Sequence, residues 1–146
     1  LLEKLQGRAA VSPDDGVDAE AKKRVEDLAM QAVMEAEREL RCTPKDVSAT
    51  KGIGHDIESR DADGKLRFIE VKGRVKGANT ITLTTNEVRC AVNAPDQFIL
   101  AVGIIDEDAV SELTYIRNYP FKDPGFDKVS ETYKLDELRK HGATPA

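Results

Sequence analysis

The sequence is poor in the residues that hold soft metal ions. Its two cysteines, Cys42 and Cys90, are far apart and belong to no Cys-x-x-Cys or Cys/His cluster of zinc-site spacing. The two histidines, His55 and His141, are also far apart. We therefore predict no zinc site and no other metal site built on imidazole, and we expect both cysteines to be structural or inert thiols.

Long apolar runs are absent as well. No stretch approaches the roughly 20 residues that a membrane-spanning helix needs. The first residues also lack the charged and then apolar pattern of a signal peptide. We therefore expect a cytoplasmic chain with no membrane partner.

An excess of positive charge is the third thing that the sequence lacks. The formal net charge is -5 at pH 7. Affinity for nucleic acid phosphates comes mainly from Lys and Arg, which displace counterions. The net charge thus argues against a free-standing module that holds DNA by bulk electrostatics, and any nucleic-acid role has to be local or helped by a neighbouring domain.

The length of 146 residues is that of one globular domain with a single core. The chain starts without methionine, and its first residues read as the end of a helix followed by a linker that contains Pro13 and Gly16. We expect residues 1–17 to be a helix end and linker from a larger protein. Residues 18–146 would then form the folded domain.

Hydrophobic periodicity predicts a mixed α/β domain. Small and apolar residues recur at three- and four-residue steps from Asp18 to Arg41, which predicts a helix that can lie close to a sheet. Thr84 and Glu87 have the spacing of a helix capping box. The further predicted strands are HDIES, KLRFIEVKG, TITL, QFILAVGII, VSELTYIRN and Val129 to Tyr133, and the further helices are TTNEVRCAVNA and a last one from Leu135.

The register of the first hairpin can be worked out from the sequence. Pairing Ile57 with Ile69 leaves Ala62 to Gly64 as a three-residue loop whose last residue is glycine, a common hairpin connection. The same pairing sets Asp56 opposite Glu70.

This register also assigns the two faces of the hairpin. Ile57, Ile69 and Val71 are predicted to point into the core beneath the first helix. The opposite face carries Asp56, Glu70 and Lys72.

Two carboxylates on neighbouring strands repel each other, and a divalent cation is the usual way to hold them together. Magnesium keeps several waters, so Asp56, Glu70 and the main-chain carbonyl of Val71 would suffice as its protein ligands, with Mn²⁺ as an alternative ion. Lys72 would orient an attacking water and stabilise charge on a phosphate. Cations on the loops at either end are candidates for gripping phosphates: Lys51, Arg74 and Lys76.

A second interpretation of the same strand is ordinary. A Glu-x-Lys pattern occurs on many strands as a solvated face with a cross-strand ion pair. An aspartate about a dozen residues earlier, preceded by a glycine-rich loop, favours the site over this interpretation.

The order of a Glu-bearing helix, GIGHDIES, FIEVKGR, ITLTTNEVRCAV and QFILAVGI resembles the PD-(D/E)XK nuclease superfamily. More narrowly, the chain is similar to the domain family named for the C-terminus of the plant protein NO VEIN, which occurs in bacteria at the ends of helicase-like and restriction-associated proteins. The resemblance covers roughly Asp18 to Asn118. It implies a restriction-endonuclease-like α/β fold, in which helices flank a mixed β-sheet.

The resemblance also implies roles for particular residues. Asp56 matches the metal-binding acid of the superfamily, Glu70 the second acid and Lys72 the catalytic lysine. An acid on the first helix often completes such sites, and three candidates occur there: Glu35, Glu37 and Glu39. We favour Glu37 from its place in the family-like segment, although the helical angle alone brings Glu39 nearer the apolar stripe.

Three accessory positions remain open. Thr85 and Glu87 match a threonine and a glutamate that follow the third strand in the family, but helix capping explains them equally well. His55 stands where the family pattern has an aromatic residue. It could tune Asp56 or contact substrate, but a packing role is the simpler reading.

The resulting hypothesis is a Mg²⁺-dependent DNA endonuclease domain that forms the C-terminal part of a helicase or restriction/defence protein. Its partners would be DNA and an upstream helicase-like domain. Two alternatives remain: a catalytically inactive nuclease-fold module for DNA binding or protein docking, and a purely structural α/β domain.

Overall fold

A computed structural model describes residues 19–146, so the predicted helix end and linker over residues 1–17 lie outside the described residues. The three helices are α1 (Ala19–Glu39), α2 (Thr85–Asn93) and α3 (Leu135–Arg139). The strands are β1 (Thr43–Asp46), β2 (Ile57–Arg60), β3 (Leu66–Val75), β4 (Thr80–Thr84), β5 (Phe98–Asp106), β6 (Ala109–Ile116), β7 (Ser130–Lys134) and β8 (Gly142–Ala143). None of the helices in this range is long and apolar enough to span a membrane.

Six strands form the central sheet, in the order β1-β2-β3-β5-β6-β8. Strands β3 and β5 are parallel, and the other pairs in this sheet are antiparallel, so the predicted mixed sheet is confirmed. Strands β4 and β7 pair with each other in a separate two-stranded sheet. Two strands were not predicted: β1, which contains Pro44 and lies at the edge of the sheet, and the two-residue β8.

The β2–β3 hairpin has the predicted register. Ile57 pairs with Ile69, and Gly64 closes the turn with a φ of +82°, a conformation that favours glycine. Ile57 and Ile69 are fully buried with Val33 of α1, and Val71 packs partly buried against them. The prediction that these three side chains face the core beneath the first helix is confirmed.

Helix α1 lies close to the sheet because glycines face it. Gly73 of β3 and Gly103 of β5 are register partners, and both lie beneath Ala29. A Cβ atom on Gly73 would stand 2.7 Å from the Val25 carbonyl oxygen, and one on Gly103 would stand 3.3 Å from the Ala29 Cβ. The predicted close approach of a small-residue helix face is therefore confirmed.

The other face of the sheet has its own core, which involves α2, α3 and the β4–β7 pair. Strand β5 lies between the two layers. Ile99 and Ala101 belong to the core under α1, while Leu100 and Val102 belong to the opposite core. This burial on both faces is what the continuous apolar run of β5 predicts.

Candidate active site

Asp56, the residue just before β2, is held by three hydrogen bonds. Its N–H donates to the Ile69 carbonyl and its own carbonyl accepts from the Val47 N–H, at 2.9 and 2.8 Å. Its Oδ2 accepts from the Val71 N–H at 2.9 Å. The carboxylate is therefore fixed against β3, within hydrogen-bonding reach of the Glu70 carboxyl group.

Glu70 and Lys72 lie on the same face of β3, which is the face opposite α1. Glu70 is almost fully buried, with an exposed fraction of 3%. The Lys72 Nζ is 3.3 Å from Glu70 Oε2 and 3.0 Å from Glu87 Oε1. Asp56, Glu70, Lys72 and Glu87 together form what we call the acid–lysine cluster.

Glu87 joins this cluster from the first turn of α2. The predicted capping box is present: the Glu87 N–H donates to Thr84 Oγ1 at 3.2 Å, and the Thr84 N–H donates to Glu87 Oε1 at 2.9 Å. The same Oε1 atom contacts Lys72. Capping and a place in the site are thus combined in one side chain, and the helix terminus fixes the position of the Lys72 partner.

Burial and like charge control the protonation of the acids. Burial, then the charges on Asp56 and Glu87, raise the pKa of Glu70 to about 10. Burial also raises the pKa of Asp56. The Glu87 pKa is lowered, because the positive charge of Lys72 and hydrogen bonds from Glu70 and Thr84 outweigh its burial. Glu70 therefore keeps a proton at neutral pH.

Lys72 stays protonated in this setting. Burial opposes its charge, but the acidic groups of Glu70 and Glu87 raise its pKa above the ordinary value. The cluster thus combines three acids with one ammonium group in a place that is largely shielded from water.

The carboxyl oxygens of the acid–lysine cluster fit a hard cation that keeps most of its waters. Asp56 and Glu70 offer carboxylate oxygens, the ligand type that magnesium prefers, and a cation would offset the burial and the neighbouring negative charges that raise the Glu70 pKa. In residues 19–146 no three His, Cys, Asp or Glu side chains form a ready-made metal cage. The arrangement suits an ion with few protein ligands better than one that needs four.

The structure corrects the prediction that Glu37 lies with Asp56 and Glu70. Glu37 is fully buried on the α1 side of the sheet, where Arg67 binds both of its oxygens at 2.8 and 2.9 Å. The Tyr115 hydroxyl donates to it at 2.7 Å. Despite burial, these partners lower the Glu37 pKa. The other candidate acids of this helix, Glu35 and Glu39, are exposed.

His55 packs in a small cluster beside the site. Its ring stacks on Phe68 at a centroid distance of 4.7 Å, and its Nε2 lies 2.9 Å from Glu58 Oε2. The Cys90 Sγ lies 3.6 Å from its Nδ1. Burial and the nearby Glu70 raise the pKa of Cys90 to about 11, which suits an inert thiol.

The other predicted site residues are Thr85, Arg74, Lys76 and Lys51. Thr85 Oγ1 donates to the Lys128 carbonyl at 2.6 Å, which ties α2 to the segment before β7. Arg74 donates to the Thr80 carbonyl, and the Lys76 Nζ lies 3.4 Å from Asp106 Oδ2. Lys51 is exposed on the loop before Asp56.

Comparisons with known proteins agree with this architecture. The family model described as Protein NO VEIN, C-terminal matches residues 25–116. No curated protein sequence matches the chain.

One similar solved structure is Hjc, a Holliday junction resolvase from Archaeoglobus fulgidus. It has a TM-score of 0.55 and 11% sequence identity, over 82% of this chain and 90% of the resolvase. At this identity the likeness establishes the fold alone, which is a resolvase and restriction-endonuclease-like fold.

Proposed function

We propose, because the chain belongs to the NO VEIN C-terminal family, that it is a Mg²⁺-dependent DNA endonuclease domain that hydrolyses phosphodiester bonds. Mn²⁺ is expected to replace Mg²⁺. We further propose that it acts in the cytoplasm as the C-terminal part of a helicase or restriction/defence protein. An upstream domain would then supply most of the DNA affinity, because this chain has a net charge of -5.

The observation that carries this proposal is the acid–lysine cluster. A buried acid whose pKa is raised to about 10, mainly by burial, lies beside a second, partly buried acid and a protonated lysine, an arrangement that a structural strand does not need. Perturbed groups of this kind gather at functional sites. The likeness to a resolvase supports a nuclease in particular.

In this proposal Asp56 and Glu70 would hold the cation, with the Val71 carbonyl as a third ligand. Bound Mg²⁺ would supply positive charge to the phosphate and lower the pKa of a bound water. Glu70 would give up its proton as the cation binds.

Lys72 would donate to a phosphate oxygen where negative charge develops. An ammonium group has three N–H donors, and the contacts to Glu70 and Glu87 occupy two of them. Glu87 acts as a positioning residue, since its carboxylate holds the ammonium group from the end of α2. We propose that Lys51, Arg74 and Lys76 contact DNA phosphates nearby.

A cleavage assay on the complete natural polypeptide tests the proposal. Single-stranded, duplex, modified and four-way-junction DNA would be incubated with Mg²⁺ or Mn²⁺. We expect Glu70→Ala to abolish cleavage and Lys72→Ala to reduce it on the order of 10²- to 10³-fold, because the cation acts on the transition state. The matched control is Lys140→Ala, which removes an exposed lysine paired with Glu137 and should leave cleavage unchanged.

The second candidate function is a nuclease-fold module for DNA binding or protein docking. The acidic net charge favours it, as does the lack of a three-ligand cage in the described range. This candidate predicts no cleavage of any of the four DNA forms by the wild type, with either metal. Circular dichroism of each variant would separate loss of chemistry from loss of fold.

A further inference from the structure

A cationic cavity lies away from the acid–lysine cluster, where the parallel strands β3 and β5 begin. Its volume is about 570 Å³. The β2–β3 turn, the segment before β5 and the residue after β6 contribute to its wall. Its charged lining residues are the cations Arg60, Lys65, Arg67 and Arg117 and the acids Asp61 and Asp96.

Two of these arginines converge on one oxygen atom. Arg67 Nη2 donates to the Ala146 carbonyl oxygen at 2.9 Å, and Arg117 Nη2 donates to the same atom. Arg67 is itself held in place, because its Nε and Nη2 bind the buried Glu37. The pair is therefore preorganised to share an oxygen acceptor, which is the geometry that a phosphate oxygen needs.

The cavity lining carries more cations than acids, because four Lys and Arg side chains share it with Asp61 and Asp96. Glu37 neutralises Arg67, and the Asp61 Oδ1 accepts the N–H groups of Asp63 and Lys65 in the hairpin turn. Burial and the charge on Arg67 lower the pKa of Arg117, so a further negative group would be stabilised beside it.

We propose that this cavity is a phosphate-binding site, with Arg67 and Arg117 as the central ligands and Arg60 and Lys65 at its rim. The bound phosphate displaces the Ala146 carbonyl oxygen from the two guanidinium groups. The volume exceeds that of a bare phosphate and falls in the range of small-molecule sites, so the phosphate of a nucleotide or of a strand end fits as well as the free ion. The site is independent of the proposed nuclease chemistry, because it uses none of the residues of the acid–lysine cluster.

An NMR titration of the chain tests the site with three probes: inorganic phosphate, a dinucleotide with a terminal phosphate and the same dinucleotide without it. We expect saturable binding of the phosphorylated probes, with shifts of the Arg67 and Arg117 side-chain Nε–H signals and of the Ala146 amide. Tighter binding of the phosphorylated dinucleotide identifies a nucleotide or strand end as the ligand. Equal affinity for inorganic phosphate identifies the free ion.

The variants localise the binding. Arg117→Gln should weaken it about tenfold or more, as expected for one lost charge-assisted hydrogen bond. Arg60→Gln, at an exposed position, provides a second test if Arg117→Gln fails to fold. Arg24→Gln removes an exposed arginine elsewhere, so it should bind phosphate as the wild type does. No saturable binding by the wild type, or unchanged affinity in both cavity variants, would overturn the proposal.

Discussion

Glu70 lies beside Leu100 of the neighbouring strand, in a part of the sheet where the surrounding side chains are apolar. A carboxyl group there loses its hydration and faces the acids Asp56 and Glu87. The cost of burying the Glu70 carboxyl group is reduced because Glu70 keeps a proton and because the Lys72 Nζ lies 3.3 Å from its Oε2. The residue thus lowers the stability of the metal-free protein, which is a common property of functional groups.

The pH dependence of unfolding should reveal this effect. The pKa of Glu70 is raised to about 10 in the folded chain, so the folded state holds a proton that the unfolded state releases. Its contribution to stability is therefore full below the ordinary Glu pKa and is lost as the pH rises towards 10. Glu70→Gln keeps the shape of the protonated acid without titrating. In urea unfolding with EDTA, we expect it to match the wild type near pH 5 and to exceed it by roughly 1–3 kcal/mol at pH 8.

A second measurement compares the melting temperatures of the wild type and Glu70→Gln with and without magnesium. A cation that binds only the folded state should raise the wild-type melting temperature and leave Glu70→Gln nearly unchanged. Glu35→Gln, at an exposed position of α1, is the matched control for the loss of one acid. If Glu70→Gln is no more stable than the wild type at any pH, the pKa of Glu70 is not raised in the folded chain.

At the scale of elements, the position of α1 depends on the glycine pair beneath it. Gly73 has less room for a side chain than Gly103, since an added Cβ would stand 2.7 Å from the Val25 carbonyl oxygen, a backbone atom. At Gly103 the nearest atom would be the Ala29 Cβ at 3.3 Å. Helix α1 can adjust to the second contact more easily than to the first.

We therefore expect Gly73→Ala to destabilise the domain by roughly 1–3 kcal/mol, as overpacking of a core does. Gly103→Ala provides the comparison and should have a clearly smaller effect. The measurement is the free energy of unfolding from urea titration at one pH. Equal effects of the two substitutions would mean that α1 does not lie on β3 as described.

The sequence was most informative where periodicity and turn chemistry agreed. The β2–β3 register followed from Ile57, Ile69 and the glycine that ends the loop, and it is confirmed. Strand β1 was not predicted because it contains Pro44, and proline is rare in strands, although an edge strand tolerates it. The separate pairing of β4 with β7 is a contact between distant segments, which local patterns do not encode.

At the scale of the molecule, the central sheet separates two groups of buried charges. The acid–lysine cluster lies on the α2 side, and the ion pair of Glu37 with Arg67 lies on the α1 side. The resemblance to the nuclease superfamily placed Glu37 in the first group, because an acid on the first helix often completes such sites. It could not foresee Arg67 and Tyr115, which approach Glu37 from strands 30 and 78 residues away in the chain.

This separation predicts opposite effects for the two acids. Glu37→Gln leaves the largely buried Arg67 without its charged partner, so we expect a loss of roughly 3–5 kcal/mol in unfolding free energy. Because the Glu37 pKa is lowered in the folded chain, its stabilisation is present above the ordinary Glu pKa and is lost as the pH falls below it. In the polypeptide used for the cleavage assay, at a temperature where the variant stays folded, DNA cleavage should remain near that of the wild type. Glu39→Gln, at an exposed position of the same helix, should change neither quantity. A Glu37→Gln protein that is stable but cleaves orders of magnitude more slowly would show that Glu37 acts in catalysis. That result would contradict the placement of Glu37 and the acid–lysine cluster on opposite sides of the sheet.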